Sequence, residues 1–164
     1  MYNSETYGKI KIEDIPDKLV TYFNKVKQYD SPVSIIIGTD SQTYNSTKIV
    51  NVIAIVCEGH GGIYFYEITR TNKITDIRQK LYTETQMSLD AAGELLKLLE
   101  NKKQYEDLYM NATFTIHVDA GNSDRGKTKE LIPSIVGWIK AQGYDCEVKP
   151  NSFVSSSIAD RISK

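Results

Sequence analysis

Only two cysteines occur in this chain, Cys57 and Cys146, far apart and each inside an apolar stretch. They make neither a disulfide framework nor a metal-type pair, so they read as reduced core thiols of a cytoplasmic protein. Net charge is nearly absent as well: 20 basic and 21 acidic residues leave −1. Non-specific binding to nucleic acid rests on neutralising phosphates, so this balance argues against it and leaves only local basic patches. Long hydrophobic runs are missing, and none approaches the roughly 20 residues that cross a bilayer. The opening Met1-Tyr2-Asn3-Ser4-Glu5 lacks the basic-then-apolar pattern of a secretory signal, so none is expected. Internal repeats, low-complexity tracts and long linkers are lacking too.

What is present suits one globular domain. The 164 residues are 40% apolar and 25% charged, enough for a substantial core. The most telling stretch is Val33-Ser34-Ile35-Ile36-Ile37-Gly38-Thr39-Asp40-Ser41-Gln42. Consecutive isoleucines suit a strand covered on both sides rather than one helix face. That strand is expected to end in polar residues, with Asp40 at its tip. A carboxylate there lies half in the core, where ionisation is costly without a cation or hydrogen bonds. Asp40 is thus either a turn cap or a metal ligand.

Ile15 to Tyr29 reads as an amphipathic helix, with Pro16 near its start and Leu19, Phe23 and Val26 at helical spacing. Tyr44-Asn45-Ser46 is a turn. Lys48 to Cys57 and Ile63 to Thr69 then flank Gly59-His60-Gly61-Gly62 as an antiparallel hairpin, with His60 an exposed turn residue. From Thr75 to about Leu99 the period becomes helical. Ile77, Leu81, Ser88, Ala92, Leu95 and Leu99 fall near one face, and Glu84 lies on the same stripe. Thr113 to Val118 is a strand ending at Asp119, with Thr115, His117 and Asp119 on one side. Lys127 to Ala141 is a helix closed by Gly143, Tyr144 to Val148 a strand, and Ser155 to Lys164 a short helix with serines to cap it. The expected fold is α/β: a mixed five-stranded sheet, three antiparallel strands followed by α-β-α-β-α, with helices on both faces. Residues 1–32 form an added N-terminal helical extension and residues 33–164 the core of a single domain.

Four acids sit at matching places: Asp40 and Asp119 at strand ends, Glu84 on an inward helix stripe and Asp160 in the last helix. Clustered carboxylates repel unless a divalent cation is shared, and hard cations such as Mg²⁺ prefer oxygen ligands. Each acid also has a plainer reading. Asp119 before Ala120-Gly121-Asn122 can cap a turn, Glu84 can point into solvent, and Asp160 stands three residues after Ser157 as in a capping box.

The order of elements and acids resembles the ribonuclease H-like superfamily, and more closely its YkuK-like group. The stretches that carry the resemblance are Gly38-Thr39-Asp40-Ser41-Gln42, Thr83-Glu84, His117-Val118-Asp119, Val136-Gly137-Trp138, Lys149-Pro150 and Ala159-Asp160-Arg161. It implies a nuclease that hydrolyses phosphodiesters of RNA or DNA with Mg²⁺ or Mn²⁺, the catalytic and metal ligands being Asp40, Glu84, Asp119 and Asp160. Met87-Ser88-Leu89-Asp90-Ala91-Ala92 resembles the segment where better-known ribonucleases H carry their glutamate. This chain has Ser88 there, and Glu84 one turn earlier on the same face.

Arg125, Lys127 and Lys149 could hold substrate phosphates, as could Arg70 and Arg161, and some of the 11 tyrosines could stack on bases. Two other readings stand beside the nuclease. One is a catalytically inactive ribonuclease H-like module that binds nucleic acid or protein. The other is nucleotide binding through Gly121-Asn122-Ser123-Asp124-Arg125-Gly126-Lys127-Thr128, which satisfies the P-loop pattern. Against it, few strands follow to supply a second metal-binding aspartate, and Asp124 would place a negative charge among phosphates.

Overall fold

The computed structural model describes residues 1–121 and 127–149. Tyr2–Ser4 (β1) and Gly8–Ile10 (β2) form a small antiparallel hairpin, followed by Ile15–Val26 (α1) with Pro16 in its first turn. Leu19, Phe23 and Val26 are buried as their spacing predicts, and Asp30 ends the segment in a left-handed conformation at φ 54. Val33–Thr43 (β3), Thr47–Cys57 (β4) and Gly62–Thr71 (β5) make a continuous antiparallel meander. Gly59 and Gly61, at φ 79 and 77, make the second connection, a conformation that a β-carbon would disfavour. Ile77–Leu99 (α2) is capped by Asp76, whose side chain accepts from the Arg78 amide. Glu106–Asn111 (α3) leads into Thr113–Gly121 (β6), then Lys127–Ala141 (α4) and Asp145–Lys149 (β7).

The strands form one mixed sheet in the order β2-β1-β5-β4-β3-β6-β7, with β3, β6 and β7 parallel. The five expected strands are present in the expected order. Two more come from the N-terminus, where the sequence reading had only a helix. β1 joins β5 through the single pair Asn3 and Tyr66, too short for periodicity to register. α3 escaped for the same reason, since Leu108 is its one buried residue, with Tyr105 buried in the turn just before it.

The main core lies on one face of the sheet. Ile35, Ile37, Ile53, Ile55, Phe65 and Ile116 meet residues from all four helices there. On the other face Ile36, Val50, Val52 and Ala54 form a smaller cluster with Tyr64 and Tyr66, to which no described helix contributes. The last expected helix, Ser155 to Lys164, lies outside the described residues. Ile77, the first residue of α2, departs from its expected inward place and is 40% exposed.

Candidate active site

Isoleucine-rich β3 lies inside the sheet, between β4 and β6, and its parallel ladder to β6 stops at Gly38 and His117. Asp40 stands two residues past the one, Asp119 two past the other. Asp40 is not at a strand tip as expected, because β3 runs on to Thr43 and pairs Asp40 with Val50 of β4. What opens at Asp40 is the β6 side alone. Across that opening a hydrogen bond joins the side chains of Asp40 and Asp119. Burial first, and the Asp119 charge second, push the Asp40 carboxyl up to about 6.

The third acid comes from the helix side. Thr39 Oγ1 and Ser88 Oγ are 2.8 Å apart, and the Ser41 hydroxyl donates to Glu84 Oε2 at 3.0 Å. Two strand residues span about 6.6 Å and four helical residues about 6 Å. An antiparallel α2 therefore matches the two contacts in step. Asp40, between Thr39 and Ser41, projects to the other side of the strand. Glu84 is 7% exposed. Burial, and then the Asp40 charge, push its carboxyl up to about 8, while Lys80 and the Ser41 hydroxyl pull the other way. Glu84 is thus a protonated acid at neutral pH, held towards Ser41.

Lys80 did not emerge from the sequence reading, although its position one turn before Glu84 places the two on one stripe. Also missed was a chain of buried polar groups beside the site. Asn51 Nδ2 donates to Thr39 Oγ1 at 2.9 Å, and the Tyr2 hydroxyl donates to Asn51 Oδ1 at 2.9 Å. The available signal was a lone asparagine inside the apolar run of β4. His117 is 5% exposed, and burial lowers its pKa to about 4, so the ring is neutral at physiological pH.

The structure brings Asp40, Asp119 and Glu84 to one region, but among the described residues no group of three His, Cys, Asp or Glu side chains is gathered to hold a metal ion. The donor chemistry nevertheless fits a hard cation. Asp40 and Asp119 set their carboxyls against each other, and Glu84 lies near enough for the Asp40 charge to act on it, a set of oxygen donors that suits a hard cation. Asp160 and Arg125 lie outside the described residues, as does the middle of the P-loop pattern. Lys127 is the first residue of α4 and Lys149 the last of β7.

Comparison with known proteins follows the same line. A family model described as ribonuclease H-like matches residues 16–164. The uncharacterized protein YkuK of Bacillus subtilis (strain 168) is 28% identical over 164 residues, covering 96% of this chain and 93% of the relative. Two structures of the Mos1 transposase catalytic domain with raltegravir, one with Mn and one with Mg, are 10% and 9% identical. They cover 93% of this chain and 70% and 71% of theirs, with TM-scores of 0.32 and 0.31, too low for an argument about the site.

Proposed function

The chain belongs to the ribonuclease H-like family, and from that premise we propose that it is a divalent-metal-dependent nuclease acting on RNA or DNA. The observation that carries this reading is the carboxyl pair Asp40–Asp119, hydrogen-bonded where the β3–β6 ladder opens. Two half-buried carboxyls set against each other form an expensive arrangement for a structural role. They form a ready one for Mg²⁺ or Mn²⁺.

Asp40 and Asp119 would hold the cation, with Glu84 and Asp160 completing its oxygen ligands. When bound, such a cation activates a water and stabilises the leaving oxygen of a phosphodiester. Ser41 orients the Glu84 carboxyl by its hydrogen bond. Arg125, Lys127 and Lys149 would position phosphates, which orders the backbone without reading bases. The two free thiols fit a cytoplasmic location.

One specific feature favours a second reading, a ribonuclease H-like binding module without catalysis. Among the described residues the three acids do not close on one point. Calorimetric titration of Mn²⁺, combined with cleavage assays on single strands, duplexes and hybrids, separates the two. Saturable Mn²⁺ binding and cleavage, both lost in Asp40→Asn and Asp119→Asn, are expected for the nuclease. Nucleic-acid binding with neither metal binding nor cleavage would leave the binding module.

A further inference from the structure

α2 and α4 leave between them an open groove of about 360 Å³, lined by Gln79, Tyr82, Thr83, Gln86, Met87 and Trp138. The Tyr82 and Trp138 rings stand 5.8 Å apart with a 31° tilt, and the Tyr82 hydroxyl is tied to Ser134 Oγ at 3.1 Å. Both rings are half-buried, so their faces are fixed yet reachable from solvent. Among the described residues no carboxylate lines the groove, and Gln86 Nε2 donates to Asp90 Oδ1 beside it at 2.8 Å. Arg78, exposed in the first turn of α2, stands one turn before Tyr82 and adds a positive charge at the groove's end. Thr83 is the chain neighbour of Glu84, so the groove begins beside the carboxyl site on the same helix.

We propose that this groove binds an unpaired nucleobase of the strand whose phosphate lies at Asp40 and Asp119; the inference rests on the nuclease reading. A base presents a flat π-face and an edge of donors and acceptors. Tyr82 and Trp138 match the face, while the Gln79 amide and Thr83 hydroxyl match the edge. Stacking of this kind tolerates any base, because every base has such a face. Arg78 takes the adjoining phosphate. An apolar peptide side chain would use the rings but leave the amide and hydroxyl groups without a role. The groove therefore sets a requirement for single-stranded or frayed substrate next to the cut.

Trp138 is the chain's single tryptophan, so its fluorescence reports on this groove alone. The test uses the full chain with Ca²⁺ in place of Mg²⁺ and a short fluorescein-labelled oligothymidylate. Anisotropy reads binding anywhere on the protein, and tryptophan emission reads the groove. The expected result is saturable quenching that follows the anisotropy. An abasic strand of equal length should leave the emission unchanged. Tyr82→Ala should weaken binding roughly tenfold, within the range for one stacked base. Tyr82→Phe, which keeps the ring, should bind like the wild type. Binding by anisotropy without quenching, equal quenching by the abasic strand, or a Tyr82→Ala protein of unchanged affinity would overturn the groove assignment and leave the nuclease reading standing. No anisotropy change with any strand would remove both. An emission change driven by protein concentration alone would assign the groove to a second copy of this chain instead.

Discussion

Among the described acids of the site, Glu84 is pushed furthest from its ordinary range, and the sign of that push can be read in solution. Between pH 4.5 and about 8 the folded chain holds a proton on Glu84 that the unfolded chain has released, so stability falls as pH rises through that window. Asp40 adds the same sign between 3.8 and about 6. His117, kept neutral by burial, has the opposite sign between about 4 and 6.5, because there the unfolded chain binds more protons. From about pH 6.5 to 8 Glu84 acts without that opposition. In metal-free protein, the urea midpoint should decline across this interval, and Glu84→Gln should flatten the decline. An equal slope in the variant would move the effect to another group. Ser88 offers the complementary test. It is 2% exposed and bound to Thr39, so Ser88→Glu should cost about 3 kcal/mol by burying a charge with no room for water. It should also fail to restore cleavage to Glu84→Gln. Recovery of activity would mean that the helix can present its acid from either turn.

At the scale of elements, α2 is held in register on β3 by polar contacts rather than by apolar fit alone. Thr39–Ser88 and Ser41–Glu84 fix how far the helix slides, and Asn51 ties that pair to Tyr2 in β1. A short strand, second from the sheet's edge and far from the acids in sequence, thereby reaches the residue next to Asp40. Asn51→Ala would leave the Tyr2 hydroxyl without its acceptor and Thr39 without its donor, a cost of about 2 kcal/mol. The expected consequence is a lower melting temperature and weaker Mn²⁺ affinity measured by calorimetry. If stability fell while metal affinity stayed unchanged, the chain of hydrogen bonds would be structural only.

For the whole molecule, any cation that binds only the folded chain stabilises it, by about 2.7 kcal/mol at a hundredfold excess over Kd. Metal and proton compete for the same carboxyls, so the two effects are linked. The thermal shift produced by Mn²⁺ should therefore be larger at pH 8 than at pH 6, where Glu84 keeps its proton and Asp40 is partly protonated. Asp40→Asn should abolish most of the shift at both values. A shift independent of pH would place the bound metal elsewhere on the surface. No described helix is long and apolar enough to cross a membrane.

Composition and periodicity were enough to determine the main elements. Isoleucine runs made β3 and β4, glycines at 59 and 61 turned the chain back, and the stripe from Leu81 to Leu99 buried α2 with Glu84 inside it. These signals are local, since each depends on residues a few positions apart. The order of elements also carried the family resemblance. Only the tertiary structure decided where β3 loses its neighbour. That depends on how far β6, a partner almost eighty residues away, stays paired with β3, while continued pairing to β4 puts Asp40 in a strand interior rather than at a tip. The same holds for the network from Tyr2 to Ser88, whose members lie on four elements and have no sequence period in common. Lone polar residues in apolar runs mark such places, but their partners are chosen by packing.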